Sequence, residues 1–444
     1  MSHALLQAWQ KTVKRHGAAG AVVEAASGRS VTFRELDAGA DAWVAAHVPD
    51  RATVAGRAIV FARPNGLAWL EIFLGVLKCG AVAVPLDPGE PAAAQRALAA
   101  TLRAGAWWDG TALQPLAKAR RYRDPAVCLI KLTSGSTGRP RALVFTAAQM
   151  LADGKQVTSS MGIGARDLNY ALIPLGHSYG LGNLTIPLLA QGVPLVCGTA
   201  ALPQAMAEDF ARWRPTVFPG VPTMWRVLAA SAVKLDSLRL GISAGAPLPP
   251  EVARDFAARF GRRLHSFYGS SETGGISYDR TGRAALAGEV GSALRGVRLQ
   301  SLAGRRLRVS SAAVVTHGNP RQAGGHGAWL MPDRAVVDAR GKVTLLGRRG
   351  ATVKVAGRRV NLAEVAGRLQ RVAGVRDVWV GVSAGSEPVL AAVVATERTP
   401  LELRAALAPS TAAWLIPKKL LVVAALPVTA RGKTDGRALR GMVS

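Results

Sequence analysis

Residues 133–138 read Thr-Ser-Gly-Ser-Thr-Gly, and Arg139, Pro140 and Arg141 follow at once. Glycine lets backbone N–H groups come close to a bound anion, and Ser and Thr hydroxyls add donors, so the segment suits a phosphate chain. The same composition also suits an ordinary Gly/Ser turn. It is not a Walker A loop, because the Gly-Lys-Ser/Thr ending is missing. Four further stretches concentrate reactive side chains. His177 lies in Pro174-Leu175-Gly176-His177-Ser178-Tyr179-Gly180-Leu181, and Ser243-Ala244-Gly245-Ala246-Pro247-Leu248 forms a second small-residue loop. Glu272 follows Tyr268-Gly269-Ser270-Ser271, and Lys433 sits in a Pro-x-Thr-x-x-Gly-Lys-x-x-x-Arg stretch from Pro427 to Arg437. A carboxylate beside bound phosphates can hold a hard divalent cation. A lysine can bridge two anions while charge moves between them.

The elements that must position these loops follow from apolar patterning. The run 126–132 (AVCLIKL) predicts a short buried strand, which puts the 133–138 loop at a strand's C-terminal end. Residues 58–62 and 81–86 predict strands around a helix over 69–79. The pattern continues with strands at 170–174, 193–197, 216–219 and 238–243. Strands alternating with helices predict a largely parallel sheet covered on both faces, with ligand loops at the strands' C-terminal ends. After Gly288 the texture changes to short alternating pieces, 297–302 and 306–310, which predict a small β subdomain. From about Gly350 a compact unit begins: a hairpin, a helix near 362–372, and strands at 375–382 and 389–394. Residues 417–423 and the Lys433 loop close that unit, and no repeat of 20–50 residues is evident.

At 444 residues the chain exceeds one ordinary core, so two or three domains are expected. Aromatics are only 5% of the chain, yet 49% hydrophobic residues supply enough Ala, Val and Leu to fill those cores. No uncharged apolar run reaches the roughly 18 residues of a membrane helix; residues 67–86 are interrupted by Glu71 and Lys78. The N-terminus lacks a signal-peptide core, and a cytoplasmic protein is expected. Cys79, Cys128 and Cys197 lie far apart in apolar surroundings, a pattern of neither a disulfide framework nor a zinc site. The formal charge of +28 comes from 56 basic against 28 acidic residues. The basic residues are dispersed rather than gathered in a tract, which argues against nucleic-acid binding. A positive field would draw in small polyanions or acidic proteins; biased base composition would give the same count.

Taken in chain order, these stretches resemble the motifs of the adenylate-forming superfamily of acyl- and aryl-CoA synthetases, peptide-synthetase adenylation domains and luciferases. The resemblance runs from Val31-Thr32-Phe33-Arg34-Glu35-Leu36 nearly to the C-terminus. It includes the phosphate loop, the acid-pocket motif at His177, the adenine-side loop at Ser243 and the Tyr268–Thr273 motif, with Ser271 in place of threonine. Leu346-Gly347-Arg348 and the stretch 353–360 resemble the segments around the interdomain hinge, and Pro427 to Arg437 resembles the C-terminal lysine motif. Arg141 stands where the family usually has lysine, Pro332 precedes Asp333 where glycine is usual, and Gly350 replaces a usual Asp or Lys. The chain is also shorter than typical members.

The resemblance implies an α/β fold. A large N-terminal domain of parallel-rich layered sheets spans 1–348, with the β subdomain at about 289–348. A mobile α+β C-terminal domain spans 349–444 and carries the lysine loop. It further implies that Thr133, Ser134, Gly135, Ser136, Thr137, Gly138 and Arg141 hold the ATP phosphates, and that Glu272 holds Mg²⁺. Gly245, Ala246, Pro247, Tyr268, Gly269, Ser270 and Ser271 enclose the adenine side, and Asp333 and Arg348 hold the ribose. Lys433 is the implied catalytic residue. His177 serves the acid pocket and the thiol channel, Gly350 is the hinge, and Gly357 lets a pantetheine arm pass.

The implied reaction activates a fatty or aryl carboxylic acid with ATP to an acyl-AMP, releasing pyrophosphate. The acyl group then passes to the thiol of coenzyme A or of the phosphopantetheine on an acidic acyl-carrier protein. No acidic residue is placed to meet an α-ammonium group, which disfavours an amino-acid substrate. The departures at Arg141, Pro332 and Gly350 keep open a second reading, a catalytically weak nucleotide-binding regulator or scaffold.

Overall fold

A computed structural model describes residues 3–133, 141–316, 327–348, 352–355, 358–383, 389–411, 413–429 and 434–443. The chain divides into two compact units. One comprises Met1–Gln300, Arg308–Leu330 and Val337–Val343, and the other Ser301–Leu307, Met331–Val336 and Thr344–Ser444.

The first unit is built on two parallel-rich sheets. In the six-stranded sheet the order is Leu113–Pro115, Ala106–Trp108, Ala58–Ala62, Val82–Leu86, Val127–Thr133, Arg141–Thr146. Its inner pairings are parallel, and an antiparallel strand closes each edge. The inner strands Ala58–Ala62 and Val82–Leu86 are buried along nearly their whole length, as a sheet covered on both faces requires. The nine-stranded sheet runs Ser292–Ala293, Gly274–Tyr278, Leu264–Ser270, Leu240–Ser243, Val217–Gly220, Asn169–Ala171, Leu195–Cys197, Gly20–Glu24, Ser30–Thr32. Its six central strands are parallel. An aromatic chain packs beneath them: Phe218 and Trp225 have ring centroids 4.7 Å apart, and Trp225 meets Phe256 edge-on at 5.3 Å.

Helix starts are set locally. Thr32 and Glu35 form a capping box, with Glu35 N–H donating to Thr32 Oγ1 at 3.2 Å and Thr32 N–H to Glu35 Oε2 at 2.8 Å. Thr146 and Gln149 repeat the device at the head of helix Ala147–Met161. The buried face of that helix carries polar side chains among apolar ones such as Met150 and Val157. Gln149, Asp153 and Gln156 donate to Val314 O, accept from Gly275 N–H and donate to Gly296 O, respectively.

A small four-stranded sheet runs in chain order through Arg298–Leu302, Arg306–Ser310, Ala328–Val337 and Val343–Arg348. In the second unit, strands Val375–Val382, Leu390–Thr396 and Lys419–Val423 form a three-stranded sheet, antiparallel then parallel. Leu390–Thr396 is buried throughout. Leu390, Ala392 and Val394 face a cluster with Val365, Leu369 and Leu403, while Ala391, Val393 and Ala395 face Leu439 and Val443. That alternation lets one strand serve two helical layers. Among the described residues no helix is long and apolar enough to cross a membrane.

Candidate active site

The site is assembled in the first unit, where loops leave the C-terminal ends of parallel strands. Strand Val127–Thr133 ends at Thr133, and the chain resumes at Arg141, which pairs with Thr133 in antiparallel register. Ser134, Gly135, Ser136, Thr137 and Gly138 lie outside the described residues, as do Gly350, Gly357 and Lys433.

Glu272 sits in the turn between strands Leu264–Ser270 and Gly274–Tyr278. Ser270 Oγ and Thr273 Oγ1 lie 3.0 Å apart, and Thr273 N–H donates to Ser270 Oγ at 3.2 Å, so the turn closes on its own hydroxyls. Val315 N–H donates to the Glu272 carbonyl at 2.8 Å. The Glu272 carboxylate accepts from Arg141 Nη2 at 2.5 Å, a contact between residues 131 apart in sequence. The Arg141 guanidinium also lies 5.8 Å from the centre of the Trp329 ring. The six-stranded sheet supplies Arg141 and the nine-stranded sheet Glu272, so this ion pair joins the two.

The His177 segment is held by an amide. Asn65 Nδ2 donates to Ala171 O at 3.2 Å and Ile173 O at 2.9 Å, and Asn65 Oδ1 accepts from Leu175 N–H at 2.9 Å. Gly176 needs its missing side chain, because a Cβ there would lie 2.7 Å from the Pro85 side chain. His177 Nε2 then faces Asp87 Oδ2 at 3.7 Å. Two residues on, the Tyr179 hydroxyl lies 3.3 Å from the carbonyls of Gly220 and Ile242, near the ends of two neighbouring parallel strands. Its ring centre is 5.7 Å from that of Phe267. Burial pushes the Tyr179 hydroxyl well above its ordinary range, so it is a neutral donor at any physiological pH.

Gly245 takes φ +86° at the end of strand Leu240–Ser243, and Gly245, Ala246 and Pro247 are exposed. Tyr268, Ser270 and Ser271 are half-buried and Gly269 is exposed. The structure thus gathers Thr133, Arg141 and the Tyr268–Glu272 turn in one unit, with Gly245–Pro247 and His177 at further strand ends. Asp333 and Arg348 fall in the second unit, Asp333 buried at 9% exposure on strand Ala328–Val337.

Two groups escaped the sequence reading. Lys131, inside the buried strand, is 5% exposed, and its ammonium sits 4.2 Å from the centre of the Phe145 ring. Asp153 is 2% exposed and accepts from Gly275 N–H at 2.9 Å, three residues beyond Glu272. A lysine within AVCLIKL is the only sequence signal of this pair.

The donor set is compatible with Mg²⁺. That ion takes few protein carboxylates and completes its shell with water and phosphate oxygens. Among the described residues no group of three His, Cys, Asp or Glu gathers to cage a metal. Glu272 offers a single carboxylate at 18% exposure, already engaged by a cation, the Arg141 guanidinium.

A profile of the family described as AMP-binding enzyme matches residues 9–107 and 104–308. A feruloyl-CoA synthase from Amycolatopsis is 27% identical over 431 residues, 85% of this chain and 87% of that protein. A benzoate–CoA ligase from Thauera aromatica is 30% identical over 261 residues, 54% of this chain and 49% of that one. In fold, the ATP-bound MatB of Rhodopseudomonas palustris superposes with a TM-score of 0.85 at 19% identity, covering 100% of this chain and 99% of that one. The chain therefore belongs to the AMP-binding enzyme family, within the adenylate-forming superfamily.

Proposed function

We propose that this protein is an AMP-forming acid–thiol ligase. It converts a fatty or aryl carboxylic acid and ATP to an acyl-AMP and pyrophosphate, then passes the acyl group to coenzyme A or a carrier-protein phosphopantetheine. The observation that carries this reading is the meeting of Arg141 and Glu272, from two motifs 131 residues apart, at the mouths of both sheets. Family membership and the coenzyme A ligases among the relatives support it.

In the first half-reaction a carboxylate oxygen bonds to the α-phosphorus while the bond from that phosphorus to the bridging oxygen breaks, and pyrophosphate leaves with the electron pair. Both reactants are anions, so the chain must neutralise and align them. Thr133 to Gly138 and Arg141 would hold the phosphates, and Glu272 would hold Mg²⁺, which supplies charge neutralisation there. Lys433 would bridge the substrate carboxylate and the α-phosphate. Tyr268, with Gly245 to Pro247, would enclose the adenine, and Asp333 with Arg348 the ribose. In the second half-reaction the thiol sulfur bonds to the carbonyl carbon, the thiol proton is lost to solvent, and AMP departs with the electron pair of the broken anhydride bond. Gly350 would be the hinge between the half-reactions, Gly357 would line the pantetheine path, and His177 would border the acid and thiol. The domain division is proposed at residues 348–349.

The test is pyrophosphate release with Mg·ATP across fatty, aryl and amino acids. Each acid is run without thiol, with coenzyme A and with a holo carrier protein. Acid-dependent release is expected, accelerated by one acceptor. ATP binding without release for any acid would overturn the ligase reading in favour of a nucleotide-binding regulator.

A further inference from the structure

Three helices among the described residues begin with a capping box, and one box differs from the other two. At Thr32 and Thr399 the third helical residue is a glutamate, Glu35 or Glu402, whose Oε2 accepts the cap N–H at 2.8 and 2.7 Å. At Thr146 it is Gln149, whose Oε1 accepts the Thr146 N–H at 2.8 Å. A glutamate would serve that cap as well, since negative charge suits a helix N-terminus. Both glutamates are exposed, whereas Gln149 is buried at 6% exposure. Its Nε2 is the added group, and it is used. It donates to Val314 O at 2.7 Å and to Thr316 Oγ1 at 3.3 Å.

The Val314–Val315 peptide carries the bond onward. Its carbonyl accepts from Gln149. Its N–H, which a trans peptide points the opposite way, donates to the Glu272 carbonyl at 2.8 Å. Hydrogen bonds thus run in one chain from the Gln149 amide, through a single peptide group, to the backbone of Glu272. Members of such a chain polarise and strengthen one another. One turn further along the same helix, Asp153 Oδ1 accepts from Gly275 N–H at 2.9 Å. It lies so close to Gly274, at φ +68°, that a Cβ there would come within 2.3 Å of it. One helix face therefore holds the turn at the carbonyl of Glu272 and at the amide three residues beyond. Capping alone asks for neither contact.

We propose that Gln149 is a positioning residue for Glu272: it fixes the backbone from which that carboxylate reaches Mg²⁺, while Asp153 holds the far side of the turn. This rests on the assignment of Glu272 to Mg²⁺ in the ligase reading. A displaced carboxylate loses its hold on the metal and not on the nucleoside. The signature is therefore the ratio of ATP affinity with Mg²⁺ to that without it, which a packing role would leave alone.

The experiment measures ATP affinity by calorimetry with and without Mg²⁺, together with melting temperature. The proteins are the wild type, Gln149→Met, Gln149→Asn, Thr146→Ala, Asp153→Asn, Asp153→Leu, Glu272→Gln and Gln149→Met/Glu272→Gln. Gln149→Met should weaken ATP about threefold to tenfold with Mg²⁺, the span of one lost hydrogen bond, and under about twofold without it. Gln149→Asn, neutral but one carbon short of Val314 O, should match it, and carries the test if Gln149→Met does not fold. Thr146→Ala loses the cap hydroxyl and keeps the Gln149 donor, so its melting temperature should fall with the Mg²⁺ ratio unchanged. Asp153→Asn keeps an acceptor for Gly275 N–H and should hold the ratio, which Asp153→Leu should lower. Added to Glu272→Gln, Gln149→Met should weaken ATP with Mg²⁺ no further, because the group it positions is already gone. Equal weakening with and without Mg²⁺, a wild-type ratio in the Gln149 variants or in Asp153→Leu, a lowered ratio in Thr146→Ala, or further weakening in the double variant would each overturn the proposal. A Glu272→Gln protein that keeps the wild-type ratio would instead overturn the metal assignment itself, whatever the Gln149 variants show.

Discussion

Replacing Glu272 with glutamine keeps the side chain's shape and removes its charge from the Arg141 contact at 2.5 Å. Two unit charges about 4 Å apart attract by about 1 kcal/mol in water and about 4 kcal/mol at an effective dielectric constant of 20. Arg141 and Glu272 retain 35% and 18% side-chain exposure, so solvent screening places the pair toward the lower limit. The stability lost should be about 1–2 kcal/mol, a fall of roughly 1–3 °C in melting temperature for a chain of this size. Activity should fall much further. Removing a group that stabilises charge in the transition state costs about 10²–10³ in rate, or 2.7–4 kcal/mol. The assay is pyrophosphate release at rising Mg²⁺ beside a thermal melt, with Glu272→Asp as the conservative partner. A Glu272→Gln protein that melts like the wild type and turns over within about threefold of it would refute the assignment of Glu272 to the metal.

Other consequences follow from single contacts. Tyr179→Phe removes a hydroxyl that meets two carbonyls, each of which keeps another donor, Ala244 N–H on Gly220 O and Trp225 Nε1–H on Ile242 O; urea denaturation should register a loss of about 1 kcal/mol or less, and a loss well above that would contradict this reading. Cys128 and Cys197 are held by burial at about 12 against an ordinary 9.0. The folded state keeps protons that the unfolded chain releases, so this stability is whole below pH 9 and declines as pH rises toward 12. The decline should be shallower in Cys128→Ala, and an identical pH profile would contradict it. Lys433→Ala should lower acid-dependent pyrophosphate release by about 10²–10³ with ATP affinity retained; unchanged release would remove its catalytic role.

The parallel strands were the legible part of the fold, because a run such as 58–62 is apolar over strand length and bounded by breakers. It appears as a strand with those bounds. Helix Ala147–Met161 was not legible, for a physical reason. Its buried face presents Gln149, Asp153 and Gln156 at i, i+4 and i+7, which in sequence looks like a solvated stripe. The partners those groups do find, Val314 O, Gly275 N–H and Gly296 O, come from far along the chain. The candidate site divides the same way. Motif spacing marked Arg141 and Glu272 separately, but only the juxtaposition of two sheet ends brings them together. His177 was visible as a residue, whereas its neighbour Asp87, 90 positions earlier, carried no local mark. Lys131 was hidden because one charge in an apolar run says nothing of the ring its ammonium lies over, Phe145 on the neighbouring strand.

The central claim, that a carboxylate attacks the α-phosphorus of ATP, is most directly tested by isotope transfer. The substrate acid found in the panel is labelled with ¹⁸O in its carboxylate and turned over with ATP and the preferred thiol, and the AMP and pyrophosphate are weighed by mass spectrometry. One ¹⁸O is expected in the AMP phosphate and none in pyrophosphate. Label in pyrophosphate or inorganic phosphate, or unlabelled AMP alongside thioester, would contradict it.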